Sequence, residues 1–306
     1  MHTEDLIAQN EKKNVALISV FAAIVLTGGK LIVSLLTGSI GILSEALHSG
    51  LDFIAAAITY FAVRLSDKPA DKNHHYGHGK FENLSAFIET LLLFITCFWI
   101  IYEATHRIIS GKGLELNTIQ TIFSFIVVIL SIIIDAWRSK KLYLVAKKHN
   151  SQALEADALH FSTDIWSSAV VLLGLVCVKI YEWTQLPIFF YADSIAALIV
   201  AAIVIIVAYR LGKRSIDVLL DRTSPETIEK INSIIKGIPE VLSFHNLKIR
   251  TSGAFTFVEL NIHVEPNLTI EKAHEISHKV EEIICASIDK CEVHVHEEPE
   301  NNHKAY

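Results

Sequence analysis

Residues 40–64 read IGILSEALHSGLDFIAAAITYFAVR, an apolar run interrupted by Glu45, His48 and Asp52. A helix needs about 20 mostly apolar residues to cross a bilayer, and this run is long enough. Similar runs lie at about 14–36, 84–109, 118–137, 158–182 and 191–211. With 51% hydrophobic and 20% charged residues in 306, the composition only modestly exceeds that of a soluble protein. The distribution decides the class, because nearly all the charge falls between the runs or after them. Six spans are expected, with both termini on one side.

Lys and Arg in the short connections give the orientation. Lys12 and Lys13 precede the first span, and Arg64, Lys68, Lys72 and Lys80 flank the connection between the second and third. Arg138, Lys140, Lys141, Lys147 and Lys148 crowd the next connection on that side, and Arg210, Lys213 and Arg214 follow the sixth span. The opposite connections, at 37–39, 107–117 and 183–190, hold only Arg107 and Lys112. The basic side is read as cytoplasmic, which places both termini there. The polar, acidic N-terminus carries no signal-peptide pattern.

The composition changes near Asp221-Arg222. Ser224-Pro225-Glu226 starts a helix that stops at Gly237, with proline in the first turn. Strands follow at 242–250 and 255–265, across a Thr251-Ser252-Gly253 turn. In the second strand Val258, Leu260, Ile262 and Val264 alternate with polar neighbours, which is the two-residue period of a half-buried strand. A helix over 269–287 and a strand over 291–296 complete an α-β-β-α-β order, in which helices cover one face of a three-stranded sheet. The expected division is a cytoplasmic segment 1–13, a six-helix membrane domain 14–215, a small cytoplasmic α+β domain 216–300, and a tail 301–306.

Several function classes are excluded or weakened. No Walker A sequence is present, so ATP has no site. No basic, aromatic-studded stretch serves nucleic acid. Cys97, Cys177, Cys285 and Cys291 form neither a CxxC nor a disulfide framework. No HExxH marks a membrane zinc hydrolase, and no enzyme activity is expected.

Chemistry concentrates in two spans. LSEALHSGLD (43–52) and EADALHFSTD (155–164) each contain His-x-x-x-Asp: His48 with Asp52, and His160 with Asp164. Positions i and i+4 share a helix face, so each helix presents one imidazole and one carboxylate in one direction. Two such faces opposed give two nitrogens and two oxygens, a tetrahedral set that suits Zn²⁺. A carboxylate at mid-membrane costs about 2.5–3.5 kcal/mol on insertion scales, a cost that a divalent cation offsets. A hydrogen-bonded pair that only pins helices is the bland alternative, and the repeat of the motif argues against it.

These segments resemble the cation diffusion facilitator family. Ser44-Glu45-Ala46-Leu47-His48 is similar to that family's span-two signature and Glu155-Ala156-Asp157-Ala158-Leu159-His160 to its span-five signature. Ala192-Asp193-Ser194-Ile195-Ala196-Ala197-Leu198 resembles the start of its sixth span. The resemblance implies a divalent metal exporter, for Zn²⁺ or else Fe²⁺, Cd²⁺, Co²⁺ or Mn²⁺, working by proton antiport and alternating access. It implies a homodimer in the inner (plasma) membrane, with a metallochaperone-like cytoplasmic domain. The histidine at position 48, where some members carry aspartate, is the set linked to zinc.

By the same resemblance, Asp71, His74 and His78 would hold metal in the loop after span two. His245, His263, His296 and Glu298 would form a group in the cytoplasmic domain, with His274 at a neighbouring ion. Lys80 and Asp221 sit where the family forms a salt bridge. Glu298 stands where the family has the shorter aspartate. Lys30 and Asp135, charged residues within spans, carry no assigned role. A membrane metal sensor without transport is the competing reading, and metal movement across a sealed membrane separates the two.

Overall fold

The computed structural model describes residues 3–37, 40–110, 118–184, 192–288 and 290–300. Most of each expected connection at 37–39, 107–117 and 183–190, and the tail at 301–306, lie outside the described residues.

Six long helices come first: α1 (Thr3–Thr37), α2 (Ile40–Ser66), α3 (Lys80–Ser110), α4 (Thr118–His149), α5 (Gln152–Thr184) and α6 (Ala192–Leu219). Among the described residues α1, α2, α3 and α6 are long and apolar enough over a continuous stretch to cross a membrane. The described part of α4 carries Asp135, Arg138, Lys140 and Lys141, and that of α5 carries Glu155, Asp157 and Asp164.

Burial in this unit (1–67 and 81–215) runs opposite to that of a soluble protein. Phe21, Ile32, Phe98, Trp99, Ile133, Ile199 and Ile206 are exposed, while Lys30, Asp52, Glu89, Arg138, Asp157 and His160 are buried. Large apolar groups outward and polar groups inward is the arrangement that lipid imposes. The unit is therefore a helical transmembrane domain. Its interior is lined by small residues. Ala16, Ala23, Ala56, Ala146, Ala153 and Ala158 pack with Val63, Leu142, Leu154 and Phe161. Small side chains let α1, α2, α4 and α5 approach closely where hydrophobic exclusion does not drive association.

The second unit joins residues 68–80 to 216–306. It contains α7 (Pro225–Lys236), β1 (Ser243–Ser252), β2 (Phe255–Val264), α8 (Ile270–Ser287) and β3 (Cys291–Pro299). Ser224 caps α7 by accepting from the Thr227 amide, and Thr269 caps α8 by accepting from the Lys272 amide. The sheet order is β1-β2-β3, with β1/β2 antiparallel and β2/β3 parallel through the α8 crossover. Val258, Leu260, Ile262 and Val264 turn inward as their alternation requires, against Ile231, Ile235, Val280, Ile284 and Val295. β3 runs three residues past the expected end at 296. The parallel register pairs His263 with Glu298 and Val264 with Pro299, so β2 templates the extension.

The loop 68–80 packs on this sheet. The Arg250 guanidinium lies 3.3 Å from the centre of the Tyr76 ring, which meets Phe257 edge-on at 5.2 Å. A Cβ on Gly79 would collide with the Ser252 carbonyl and come within 2.8 Å of the Gly253 nitrogen. Gly253 itself holds φ at +59° in the β1–β2 turn. Lys80 Nζ donates to Asp221 Oδ1 at 2.7 Å. Both side chains are partly exposed, so this pair is worth about 0–1 kcal/mol.

Candidate functional site

The i,i+4 spacing on α2 and α5 does what helix geometry requires, and the two faces meet. His160 Nε2 is 3.3 Å from Asp52 Oδ1 and 3.8 Å from Asp164 Oδ2. His48 Nε2 is 3.8 Å from Asp164 Oδ1. One ligand atom each from His48, Asp52 and Asp164 fall within 4.8 Å of one another. His160 is not in that trio, but its Nε2 faces Asp52 and Asp164, so the two helices bring two imidazoles and two carboxylates to one region of the bundle. Asp52, His160 and Asp164 are buried, whereas 36% of the His48 side chain is exposed. His48, the ligand nearest the start of α2, is thus the most exposed of the four.

A buried polar surround supports this set. Lys30 Nζ donates to Ser49 Oγ at 2.8 Å, and Thr27 Oγ1 donates to the Ser49 carbonyl. Arg138 lies against Asp135 at 2.7 Å and over the Phe161 ring at 3.2 Å. At the basic end Lys12 bridges Asp67 (3.0 Å) and Glu82 (2.8 Å), and Glu82 accepts from Ser66 and Ser151. These contacts tie α1 and α3 to the end of α2 and to Ser151, just before α5.

The loop supplies a second cluster. Asp71 Oδ1 accepts from the Asn73 and His74 amides at 2.8 Å, an Asx turn, and lies 3.2 Å from His74 Nδ1. Asp71 Oδ2 is 3.4 Å from His78 Nε2. The amides of Asn73 and His74, then the His74 ring, hold the Asp71 carboxyl below its ordinary range. His78 Nδ1 donates to the Pro69 carbonyl, and in that tautomer Nε2, which faces Asp71, carries the lone pair a metal would take. His75 turns away, its Nε2 donating to the Lys72 carbonyl.

The third cluster centres on Glu298. Its Oε1 is 3.7 Å from His245 Nε2 and 3.7 Å from His296 Nε2, and its Oε2 is 3.4 Å from His263 Nε2. A hydrogen bond from Asn261, reinforced by the three histidines, holds the Glu298 carboxyl below its ordinary range. His274 stands apart on α8, its ring against His278.

Residues 16–220 match the cation efflux transmembrane domain and residues 223–300 the cation efflux protein cytoplasmic domain. The chain belongs to the cation diffusion facilitator family. The cation-efflux pump FieF of Shewanella oneidensis is 31% identical over 282 residues, 92% of each chain. An uncharacterized transporter of Methanocaldococcus jannaschii is 33% identical over 91% of this chain and 96% of its own. A nickel form of a MamM CTD variant, 26% identical, covers 26% of this chain and all of its own with a TM-score of 0.24.

As a cation diffusion facilitator the protein is a membrane transporter of divalent metal cations rather than an enzyme. Some polar residues of this facilitator escape the motif reading. Glu89, Arg138 and Asp157 are fully or almost fully buried in the bundle. The one signal available in the sequence is a charged residue inside an otherwise apolar helix, as with Glu89 in α3.

Proposed function

We propose that the protein exports a divalent transition metal, Zn²⁺ first among candidates, from the cytoplasm across the inner membrane in exchange for protons. The observation that carries this reading is the convergence of His48, Asp52, His160 and Asp164 from α2 and α5. Two nitrogens and two carboxylates suit Zn²⁺, although geometry and availability also decide between metals. Metal and protons compete for the same atoms, since ligands must be deprotonated to bind. Cytoplasmic metal displaces protons, the helices rearrange, and protonation on the far side releases the ion. The tie of Lys12 to Asp67 and Glu82 at the basic end, with His48 the most exposed of the four ligands, supports a state closed to the cytoplasm. The bias of Lys and Arg to that end supports cytoplasmic termini.

The loop set Asp71, His74, His78 and the domain set His245, His263, His296, Glu298 are read as regulatory metal sites, with His274 serving a neighbouring ion. The C-terminal domain is read as the sensor that holds two copies together and favours one transport conformation when metal is bound. The division at 1–13, 14–215, 216–300 and 301–306 follows from the same reading.

The test is reconstitution in sealed vesicles with a zinc-sensitive dye inside, comparing wild type with Asp52→Ala and Asp164→Ala. Metal-dependent signal in wild type, lost in both variants, is the expected result. A wild type that binds zinc in detergent yet moves none across the membrane overturns the transport reading.

A further inference from the structure

Two acids of the bundle lie outside the four-ligand set and have no solvent exposure at all, Glu89 on α3 and Asp157 on α5. Glu89 Oε1 accepts from the Thr59 hydroxyl and, at 3.3 Å, from that of Ser85. Asp157 Oδ2 accepts from Ser19 Oγ at 3.1 Å. The remaining oxygens, Glu89 Oε2 and Asp157 Oδ1, are buried and accept nothing from the described residues. Neither acid forms an ion pair among the described residues.

α3 and α5 meet near their starts. Asn83 Nδ2 donates to Gln152 Oε1 at 2.8 Å, and Ala86 packs with Ala156. One further turn brings Glu89 level with the 157–160 segment, and as anions the two carboxylates would repel each other. Other charged groups that face the pair are Arg138 from α4 and, on the same helix as Asp157, His160 and Asp164. From α1 and α2 come only hydroxyls, Ser19 and Thr59.

We propose that Glu89 and Asp157 form a proton-binding pair, separate from the metal ligands, that holds one proton when the transport site is empty and gives it up when metal arrives. Two carboxylates in one dry place cannot both ionise. One proton between the two leaves one group neutral and the other an anion, and such a pair titrates as a unit. Asp157 stands one turn before His160, about 4.5 Å along the helix. A dication bound at His160 therefore favours loss of that proton, and its return weakens the metal by the same factor. This rests on the antiport reading above and names where one of the exchanged protons resides.

The experiment follows zinc and protons together in vesicles containing full-length wild type or Glu89→Gln. The expected result is continued zinc flux with one proton fewer exchanged per zinc ion and a flatter dependence on external pH. An unchanged ratio and pH dependence in Glu89→Gln overturns the pair while leaving antiport intact. A wild type that moves zinc without protons overturns antiport, and the pair with it. Infrared difference spectra of the wild type, zinc-loaded minus zinc-free, keep the proposal falsifiable if the variant misfolds. A protonated-carboxyl stretch lost on zinc binding is expected, and its absence in the zinc-free protein overturns the pair.

Discussion

His160 on α5 reaches across to Asp52 on α2, Nε2 to Oδ1 at 3.3 Å, with both side chains closed to solvent. Apart from this contact and that of His160 with Asp164, no hydrogen bond to the His160 ring is made among the described residues, and its Nδ1 has none. The imidazole is therefore held by the two carboxylates that share the proposed metal site with it. Losing even an outer-shell partner lowers metal affinity about 10–100-fold. Asp52→Asn should weaken Zn²⁺ binding by at least that much in calorimetric titration of the detergent-solubilised protein. Unchanged affinity would remove Asp52 from the site.

Lys12 and Lys13 are neighbours with unequal tasks. The Lys12 side chain is 11% exposed between Asp67 and Glu82, while that of Lys13 is 33% exposed and, among the described residues, pairs with Asp67 alone, at 3.4 Å. Removing one partner from a buried charge cluster costs about 3–5 kcal/mol, since the remaining charges stay uncompensated. Lys12→Met should lower unfolding free energy by about that amount, and Lys13→Met by about 1 kcal/mol or less. Thermal melts of the two variants in one detergent check the contrast.

In the loop, His78 and His75 differ in where their nitrogens point. His78→Ala should remove a Zn²⁺ equivalent from a protein already carrying Asp52→Ala. His75→Ala should leave the stoichiometry as it was, because its Nε2 is engaged by the Lys72 carbonyl. Equal effects of the two would dissolve the assigned ligand set.

Gly79→Ala puts a methyl group into the Ser252 carbonyl, a backbone atom that cannot swing aside. The loop should lift from the β1–β2 turn and free Tyr76 from Arg250. Hydrogen exchange of the 71–79 amides should then rise, with α7 and α8 protected as before. Unchanged exchange would mean that the loop is held by other contacts.

Much of this molecule is legible in its sequence. Apolar runs gave the long helices, and the period-2 run from Val258 to Val264 gave the buried strand, because both follow from where water is absent. The recurrence of His-x-x-x-Asp predicted two ligands per helix face, and the helices set those faces 3.3–3.8 Å apart. Other features were closed to it. Strand pairing carries β3 on to Pro299, which no local signal marks. α1 reaches back to Thr3, ahead of the apolar run, and carries Lys12 to where Asp67, just past the end of α2, and Glu82 of α3 enclose it. Asp157 and Glu89 read as ordinary charges until the neighbours that enclose them are known.

The thirteen residues from 68 to 80 lie between two membrane helices in the chain but belong to the C-terminal unit in space. The C-terminal unit is thus assembled from two pieces of gene separated by four long helices, α3 to α6. Exchanging C-terminal domains between relatives by a single splice near residue 216 would unite a sheet with a foreign loop, setting Arg250 and Phe257 against side chains they did not evolve beside. Functional chimeras should require both pieces to travel together, and sequence variation at Tyr76 should track that at Arg250 across the family.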